Sequence, residues 1–267
     1  MTATTGAGTT RRYVEHAMGM PISLALRGRH TDDTAARAAW AEVVLGLREV
    51  DRVFSTYRPD SFVARLGRGE IAVEDCPPEV AALVTEVLGL GAAAEEESGG
   101  AFSVLLPGPG GRTVLDPSGV VKGWAVERAA EPLRALEDTD FCLSAGGDVT
   151  CRTADPAGRP WRIGIEDPAD PRRVLAVVPV SSGAVATSGT AHRGQHLVDA
   201  RTGRPPTGVA SVTVVAGSLT WADIDATAAY AQGPDAARWL ETRPGRSGLV
   251  VWADGTTTTV EPVLPPA

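Results

Sequence analysis

Asp223 and Thr227 are four residues apart in an alanine-rich segment, so on a helix both side chains would lie on one face, about one turn apart. Carboxylate and hydroxyl oxygens are ligands that Mg²⁺ accepts while it keeps positions for phosphate oxygens and water. A solvated Asp beside a Thr that bonds back to a helix carbonyl has the same spacing and, taken alone, is the commoner arrangement. The surrounding alanines favour the metal site, because small residues let a ligand or another element approach closely.

Lys122 is the only lysine in the chain. It follows Asp116-Pro117, which predicts the start of a helix because Asp is a good N-cap and Pro suits the first helical position. Gly119 and Gly123 clear one face of that helix, and the start of a helix attracts anions. A phosphate would suit a cation placed here, but a surface lysine on a helix that packs through its glycines fits the pattern equally well.

Two further polar segments are candidates for binding or catalysis. His196 precedes an Asp199-led turn that closes at Gly203, and Asp side chains in such turns usually bond back to turn amides. His196 is then either a general base or a hydrogen-bonded strand residue. Ser188, in the segment 186–190, either presents a hydroxyl to a ligand or marks an ordinary strand end.

The charge balance excludes some classes of partner. The 267 residues include 25 Lys and Arg against 33 Asp and Glu, a formal net charge of −8. Proteins that bind nucleic-acid backbones or anionic membrane surfaces carry a basic face instead, so we expect neither partner. No window reaches the roughly 18 apolar residues of a membrane span, and we expect no membrane insertion. The 43% of apolar residues predicts a globular core.

Cysteine usage and the N-terminal segment bear on the compartment. Cys142 and Cys151 could lie at opposite ends of a hairpin, but with Cys76 as the third cysteine, free and partly buried thiols are the preferred interpretation. The cysteines and histidines lack the spacing of a zinc site. Arg11-Arg12 is followed by Glu, His and Pro, which interrupt the apolar stretch of an export signal. We predict a disordered tail over 1–12, a single domain over 13–267 and a cytoplasmic location.

Apolar periodicity predicts the helices and strands on which these residues lie. Helical spacing is found early in the chain, and period-two alternation dominates from residue 140 onward, so the fold class is α+β with substantial antiparallel sheet. The predicted helices cover 35–54, 79–94, 117–136, 219–230 and 234–242. The predicted strands cover 13–28, 140–144, 148–152, 160–166, 173–180, 183–187, 195–199, 209–216, 248–252 and 256–261.

The order of several short motifs resembles that of the ApbE family of flavin transferases, over residues 16–235. Each motif is weak alone, and the combination is specific. The motifs are Met18-Gly19, the run from Ser55 to Ser61, Gly100-Ala101-Phe102, Asp116 with Gly119 and Lys122-Gly123, the run from Ser144 to Asp148, Thr187-Ser188-Gly189, His196 with Asp199 and Arg201-Thr202-Gly203, and Ala222-Asp223 with Thr227. The resemblance implies an α+β fold related to the T-fold, an antiparallel sheet with flanking helices.

The resemblance also implies a Mg²⁺-dependent reaction with FAD as the donor. The FMN half of FAD would move to a Thr or Ser hydroxyl of an acceptor flavoprotein as a phosphoester, and AMP would be released. Some members of the family hydrolyse FAD to FMN and AMP instead. A FAD-binding module without catalysis is the third interpretation.

Site residues follow from the resemblance by matching motifs. The metal ligands would be Asp223, Thr227 and the backbone carbonyl of Gly119, which predicts a loop or distortion at 117–120 because a first-turn carbonyl normally points along the helix axis. His196 would lie near the reactive phosphate as a candidate base, and Lys122 would supply a second positive group. Contacts to FAD are expected from a set of residues spread along the chain: Met18, Tyr57, Ala101, Phe102, Ser103, Asp116, Lys122, Ser188 and His196.

The chain departs from the family pattern in three places. Ser103 stands where the family usually has Asp, which puts one polar contact to the flavin in doubt. The segment between Phe102 and Asp116 is shorter than usual and would leave the isoalloxazine side more open. Ala200 replaces a common proline, which removes rigidity from the turn but no chemical group.

Overall fold

The computed structural model describes residues 10–190 and 197–262, which form an α+β structure built on one large antiparallel sheet. Seven helices are found in these ranges: α1 (Thr34–Phe54), α2 (Phe62–Gly67), α3 (Pro78–Glu97), α4 (Ser118–Ala129), α5 (Glu131–Arg134), α6 (Leu219–Ala231) and α7 (Ala236–Leu240). The strands in the same ranges are β1 (Arg11–Ala17), β2 (Met20–Gly28), β3 (Leu105–Pro107), β4 (Thr113–Leu115), β5 (Thr139–Ala145), β6 (Asp148–Arg152), β7 (Trp161–Asp167), β8 (Asp170–Val180), β9 (Ser182–Gly189), β10 (Val209–Ala216), β11 (Ser247–Trp252) and β12 (Thr257–Val260).

The large sheet has the order β1-β2-β5-β6-β9-β10-β11-β12, and every neighbouring pair is antiparallel. The predicted fold class is therefore confirmed. The predicted single strand over 13–28 is wrong in one respect, because it is a hairpin. Met18 and Gly19 take positive φ values of 53° and 70°, which suit a two-residue hairpin turn. The first strand also begins at Arg11, inside the range predicted as tail.

Helices cover one face of the sheet and hold most of the core. Asp33 caps α1 by accepting a hydrogen bond from the Ala36 amide at 2.9 Å, and the apolar stripe of that helix is buried. The helices α4 and α6 pack together over the central strands, and α6 is buried along nearly its whole length. Glu127 of α4 fixes the start of α6, because its carboxylate accepts hydrogen bonds from the Ser218 hydroxyl at 2.7 Å and the Thr220 amide at 2.9 Å.

A second, smaller layer covers part of the opposite face. The strands β7 and β8 form their own two-stranded sheet, which closes over an apolar cluster. The cluster contains Val149, Cys151, Val180 and Val185, with Cys142 packed against it. The helices, the large sheet and the β7–β8 sheet thus form three layers, which bury both faces of the central strands β6 and β9.

Several element boundaries differ from the sequence predictions. The helix predicted over 117–136 is divided into α4 and α5 at Ala130, and α4 begins at Ser118 with Pro117 as its N-cap. Asp116 is not the cap, although its carboxylate accepts a hydrogen bond from the Ser118 amide at 3.0 Å. The described part of the strand predicted over 195–199 shows an isolated bridge between Asp199 and Arg204 instead. The helix α2 and the hairpin β3–β4 were not predicted.

Among the described residues, no helix combines the length and the apolar character that crossing a membrane requires.

Candidate active site between two helices and the central sheet

Two helices and two strand ends bring polar side chains together at one point. Lys122 comes from α4 and Asp223 from α6, while Asp148 is the first residue of β6 and Ser188 lies near the end of β9. The hairpin β5–β6 turns through Gly146 and Gly147, whose φ values of 58° and 101° are readily adopted only by glycine. This tight turn fixes the position of Asp148 beneath the helices.

Lys122 lies between two buried carboxylates. Its Nζ is 2.5 Å from Oδ2 of Asp148 and 3.1 Å from Oδ1 of Asp223. The two carboxylates are 1% and 2% exposed, whereas the Lys122 side chain is 21% exposed. The Lys122 side chain is therefore the most exposed member of this cluster. We call these three residues the charge cluster.

The pKa values of the charge cluster reflect its mixed charges. Burial by itself favours the neutral amine, but Asp223 and Asp148 outweigh it and raise the pKa of Lys122. Burial raises the pKa of Asp223, and the nearby Asp148 charge raises it further, against the opposing effect of Lys122. With all three groups ionised, two carboxylates face one ammonium and the cluster holds one excess negative charge.

Two glycines in α4 allow the close contact between α4 and α6. A Cβ atom on Gly123 would lie 2.7 Å from both Cβ of Asp223 and the Leu219 carbonyl oxygen. The Gly123 amide donates a hydrogen bond to Oδ2 of Asp223 at 2.9 Å. In a regular helix that amide donates to the carbonyl of Gly119. The distortion predicted at 117–120 is absent, because Gly119 lies within regular α4. The Gly123 amide, which would normally bond to the Gly119 carbonyl, bonds to Asp223.

Hydroxyl groups line the neighbouring part of α6. The Thr227 hydroxyl lies one turn beyond Asp223 and is 2.9 Å from the Ser188 hydroxyl. A Cβ on Gly119 would lie 3.8 Å from the Thr227 methyl group and 2.8 Å from the Phe102 ring. The predicted metal ligands Asp223, Thr227 and Gly119 therefore share one side of the α4–α6 contact, with Phe102 next to them.

The Phe102 segment joins this site to the turn that follows residue 196. The Phe102 amide donates to the Ser98 hydroxyl at 3.0 Å, and the ring is 5% exposed. The Ala200 amide donates to the Ala101 carbonyl at 3.0 Å. Arg201 holds the turn with two hydrogen bonds to Asp199, at 2.8 Å and 2.9 Å. His196, the predicted base, lies outside the described residues.

Other predicted FAD contacts lie outside the charge cluster. Tyr57 is 95% exposed in the loop after α1, and Met18 lies in the β1–β2 turn, partly buried against the core. Ser103 is engaged locally, because its hydroxyl donates to Glu95 at 2.6 Å and accepts from the Leu105 amide at 3.0 Å. Asp116 binds the start of α4 through the Ser118 amide. Their contacts to FAD stay predictions.

Asp148 ends the family motif that begins at Ser144, but the sequence predicted no role for its carboxylate. Its carboxylate contacts Lys122 through Oδ2 and accepts a hydrogen bond from the Thr187 amide through Oδ1, at 3.0 Å. A glycine pair followed by Asp, between two predicted strands, was the available signal. Spacing alone does not show that this turn lies under Lys122, because the two residues are on separate elements.

The fold and the site together define an α+β protein with a charged, partly open centre between an antiparallel sheet and two helices. The model of the ApbE family matches residues 106–250, which is more than half of the chain and contains the whole charge cluster. The chain therefore belongs to the ApbE family.

Individual relatives agree with this assignment. The FAD:protein FMN transferase of Escherichia coli K12 is 30% identical over 151 residues, which cover 53% of this chain and 43% of that protein. The chain thus spans less than half the length of this curated relative. The structure of the ApbE protein from Thermotoga maritima has a TM-score of 0.77 at 22% identity, covering 95% of this chain and 97% of that one. The apo flavinyl transferase ApbE of Pseudomonas stutzeri has a TM-score of 0.75 at 24% identity, with coverages of 95% and 96%.

Proposed function

We propose that this protein transfers the FMN part of FAD to a Thr or Ser hydroxyl of an acceptor flavoprotein and releases AMP. The observation that carries the proposal is the charge cluster, in which a partly exposed lysine pairs with two buried carboxylates, one helical turn from the Ser188–Thr227 hydroxyl pair. A family model that includes these residues supports it, as does the printed activity of the Escherichia coli relative.

Lys122 suits the pyrophosphate of FAD for two reasons. Its side chain is partly exposed, and two buried carboxylates hold its ammonium in place, so little conformational entropy would be lost when an anion binds. Gly119 and Gly123 leave the adjoining helix face free of side chains, although Phe102 and Asp223 already pack against them. The phosphates would therefore approach Lys122 from its exposed side.

The residues present fit a Mg²⁺ ion. Within 10–190 and 197–262 no group of three or more Cys, His, Asp or Glu side chains is placed to hold a metal. The donors expected from the matched motifs are the carboxylate of Asp223, the hydroxyl of Thr227 and the carbonyl of Gly119. Mg²⁺ commonly uses few protein ligands of this hard oxygen type. The excess negative charge of the buried cluster favours a cation. When bound, the ion would offset negative charge on the pyrophosphate during phosphoryl transfer.

In the proposed reaction the acceptor oxygen forms a bond to the FMN phosphorus, and the bond from that phosphorus to the bridging oxygen breaks. AMP leaves with that oxygen, and the hydroxyl proton passes to a base, for which His196 is the predicted candidate. Lys122 would hold the phosphates and stabilise charge on the leaving group. The described side chains thus act mainly by positioning and by electrostatics.

The acceptor flavoprotein and the predicted cytoplasmic location are further parts of the proposal. Hydrolysis of FAD differs from transfer in one respect, since water rather than a protein hydroxyl attacks the same phosphorus. The test must therefore follow both products.

The proposed function is tested with the full chain, FAD, Mg²⁺ and a candidate acceptor domain. Transfer predicts AMP release together with flavin fluorescence that stays with the acceptor band on a denaturing gel. Release of AMP and free FMN with an unlabelled acceptor would show that the protein hydrolyses FAD and does not transfer FMN. FAD binding without AMP release would reject both enzymatic functions and would identify the protein as a FAD-binding module.

A further inference from the structure

Cys142 and Cys151 are directly opposite each other on the strands β5 and β6. The turn between these strands has two residues, Gly146 and Gly147, and Ala145 pairs with Asp148 across it. In a two-residue hairpin the pair that closes the turn exchanges hydrogen bonds, and bonded and non-bonded pairs alternate from there. Cys142 and Cys151 lie three pairs beyond this closing pair and therefore form a non-hydrogen-bonded pair.

Non-hydrogen-bonded pairs suit a disulfide because their side chains are closest. Their Cα atoms are about 4.5 Å apart, at the short end of the range of about 4.4–6.8 Å that disulfides span. Both cysteines belong to the same apolar cluster beneath β7 and β8. Both are free thiols in the structure. The register therefore places the two thiols opposite each other on the same face of the sheet.

We propose that Cys142 and Cys151 are an oxidation site that forms an intrachain disulfide in the native fold. The co-reactant is hydrogen peroxide. With a peroxide, the Cys142 thiolate attacks one oxygen, water leaves after protonation, and Cys142 becomes a sulfenic acid. The Cys151 thiolate then forms the S–S bond as a second water leaves, so two thiols and one peroxide give one disulfide and two waters.

Cys142 is the residue that reacts first. It is partly exposed, whereas Cys151 is 1% exposed and its thiol lies 3.9 Å from the Val180 carbonyl oxygen. Burial raises the pKa of Cys142 to about 11 and that of Cys151 to about 12, and the Cys142 charge adds to the shift at Cys151. Since thiolates are the reactive species, oxidation is slow at neutral pH and accelerates as pH rises.

The disulfide would act on the hairpin that presents Asp148. It closes a ten-residue loop from Cys142 to Cys151, and that loop contains both turn glycines and Asp148. Closing a loop of this length restricts the unfolded chain. The oxidised protein should therefore unfold at a temperature about 5 °C higher than the reduced protein.

The test is to treat the native, reduced full chain with hydrogen peroxide at pH 8, quench the thiols, and map the peptides without reduction. We expect an intact mass lower by two hydrogen atoms, a cross-linked Cys142–Cys151 peptide, and the higher Tm. Cys76→Ser is the control, because Cys76 lies elsewhere, ahead of α3, with its thiol directed to the Ala72 carbonyl, and this variant should keep the cross-link.

Cys142→Ser should lose the cross-link and show no change in Tm on oxidation. A native wild-type protein that yields sulfinic acid, a disulfide with Cys76, an intermolecular disulfide or no product would overturn the proposal. A cross-link accompanied by a lower Tm would show that the pair does not fit a disulfide without strain. The readouts are covalent and thermal, so they are independent of whether the protein transfers flavin.

Discussion

At the scale of single residues, the site depends on three charged groups that neutralise one another incompletely. Lys122 contacts Asp148 at 2.5 Å and Asp223 at 3.1 Å, with both carboxylates almost fully buried. Removing one partner of a buried ion pair usually destabilises a protein, because the remaining charge is uncompensated. Here the loss of one carboxylate would leave one ammonium facing one carboxylate, a balanced pair.

We predict that Asp223→Asn separates stability from activity. Turnover that depends on Mg²⁺ should fall by about a hundredfold or more, because a ligand and a buried charge are lost. The Tm measured in EDTA should equal or exceed that of the wild type, because the excess negative charge is gone. AMP release and thermal unfolding measure the two effects.

Asp235→Asn is the matched control for that change. Asp235 is exposed beside α7 and forms a surface ion pair with Arg238 at 2.9 Å. Both activity and Tm should stay near the wild-type values. Full Mg²⁺-dependent activity in Asp223→Asn would remove Asp223 from the proposed metal site.

We predict that Lys122→Arg raises the KM for FAD by about tenfold or more. The charge is kept, but a planar guanidinium is wider than an ammonium and does not fit between two carboxylates at the Lys122 distances. A loss of about 1.5 kcal/mol, the lower range for a hydrogen bond to a charged group, corresponds to roughly that factor. Steady-state kinetics with varied FAD measure it.

Arg128→Lys, a swap on the exposed side of the same helix, should leave the KM for FAD unchanged, since Arg128 is 57% exposed and lies 3.7 Å from Glu86. Equal KM values for Lys122→Arg and the wild type would show that the single lysine of the chain is not required for FAD binding.

At the scale of elements, the site depends on the separation of α4 from α6. Gly123 sets that separation by direct backbone contact, and Glu127 fixes the start of α6 through Ser218 and Thr220. On the other side of α6, Asp225 is buried and ion-paired with Arg243 at 3.1 Å and Arg246 at 2.7 Å. The helix that carries Asp223 is thus held from both sides.

We predict that Gly123→Ala destabilises the protein by about 1–3 kcal/mol and lowers activity. The added methyl group would lie 2.7 Å from Cβ of Asp223 and from the Leu219 carbonyl oxygen, so the helices must separate. Chemical denaturation measures the free energy of unfolding, and AMP release measures activity.

Gly89→Ala provides the comparison. Gly89 lies in α3, is exposed, and has no atom within 4 Å of the position of an added Cβ. Alanine there should stabilise the helix by about 0.5–1 kcal/mol. If Gly123→Ala behaved like Gly89→Ala, close packing of α4 on α6 would not be a requirement of the site.

At the scale of the whole molecule, the two faces of the central sheet are covered unequally. The helices bury one continuous core, whereas β7 and β8 pair with each other and cover a small cluster through residues such as Ile163 and Val180. A two-stranded sheet with few buried side chains is marginally stable on its own.

We predict that β7 and β8 open without global unfolding. Their amides should exchange with deuterium at least about tenfold faster than those of β5, β6 and β9, because local opening exposes little apolar surface. Native-state hydrogen exchange followed by peptide mass spectrometry measures this difference. Equal protection in both groups of strands would mean that the hairpin unfolds with the main sheet.

The sequence by itself determined the class of elements, most of their positions and the helical spacing of the proposed metal ligands Asp223 and Thr227. Periodicity located α1, α3, α6 and most of the strands, because amphipathic patterns depend on neighbours along the chain. The spacing of Asp223 and Thr227 placed them on one face of α6 for the same reason. Lys122 was singled out as the only lysine and Gly119 by its spacing from Gly123, and the order of motifs supplied their proposed roles.

Only the tertiary structure decided which elements meet. Asp148 joins Lys122 because the β5–β6 turn ends beneath α4, and Gly123 leaves no room for a Cβ atom because α6 crosses it at contact distance. Cys142 and Cys151, nine positions apart, become direct partners through a two-residue turn and its register. Local propensity is set within a few residues, whereas these contacts depend on sheet register and helix packing between distant segments.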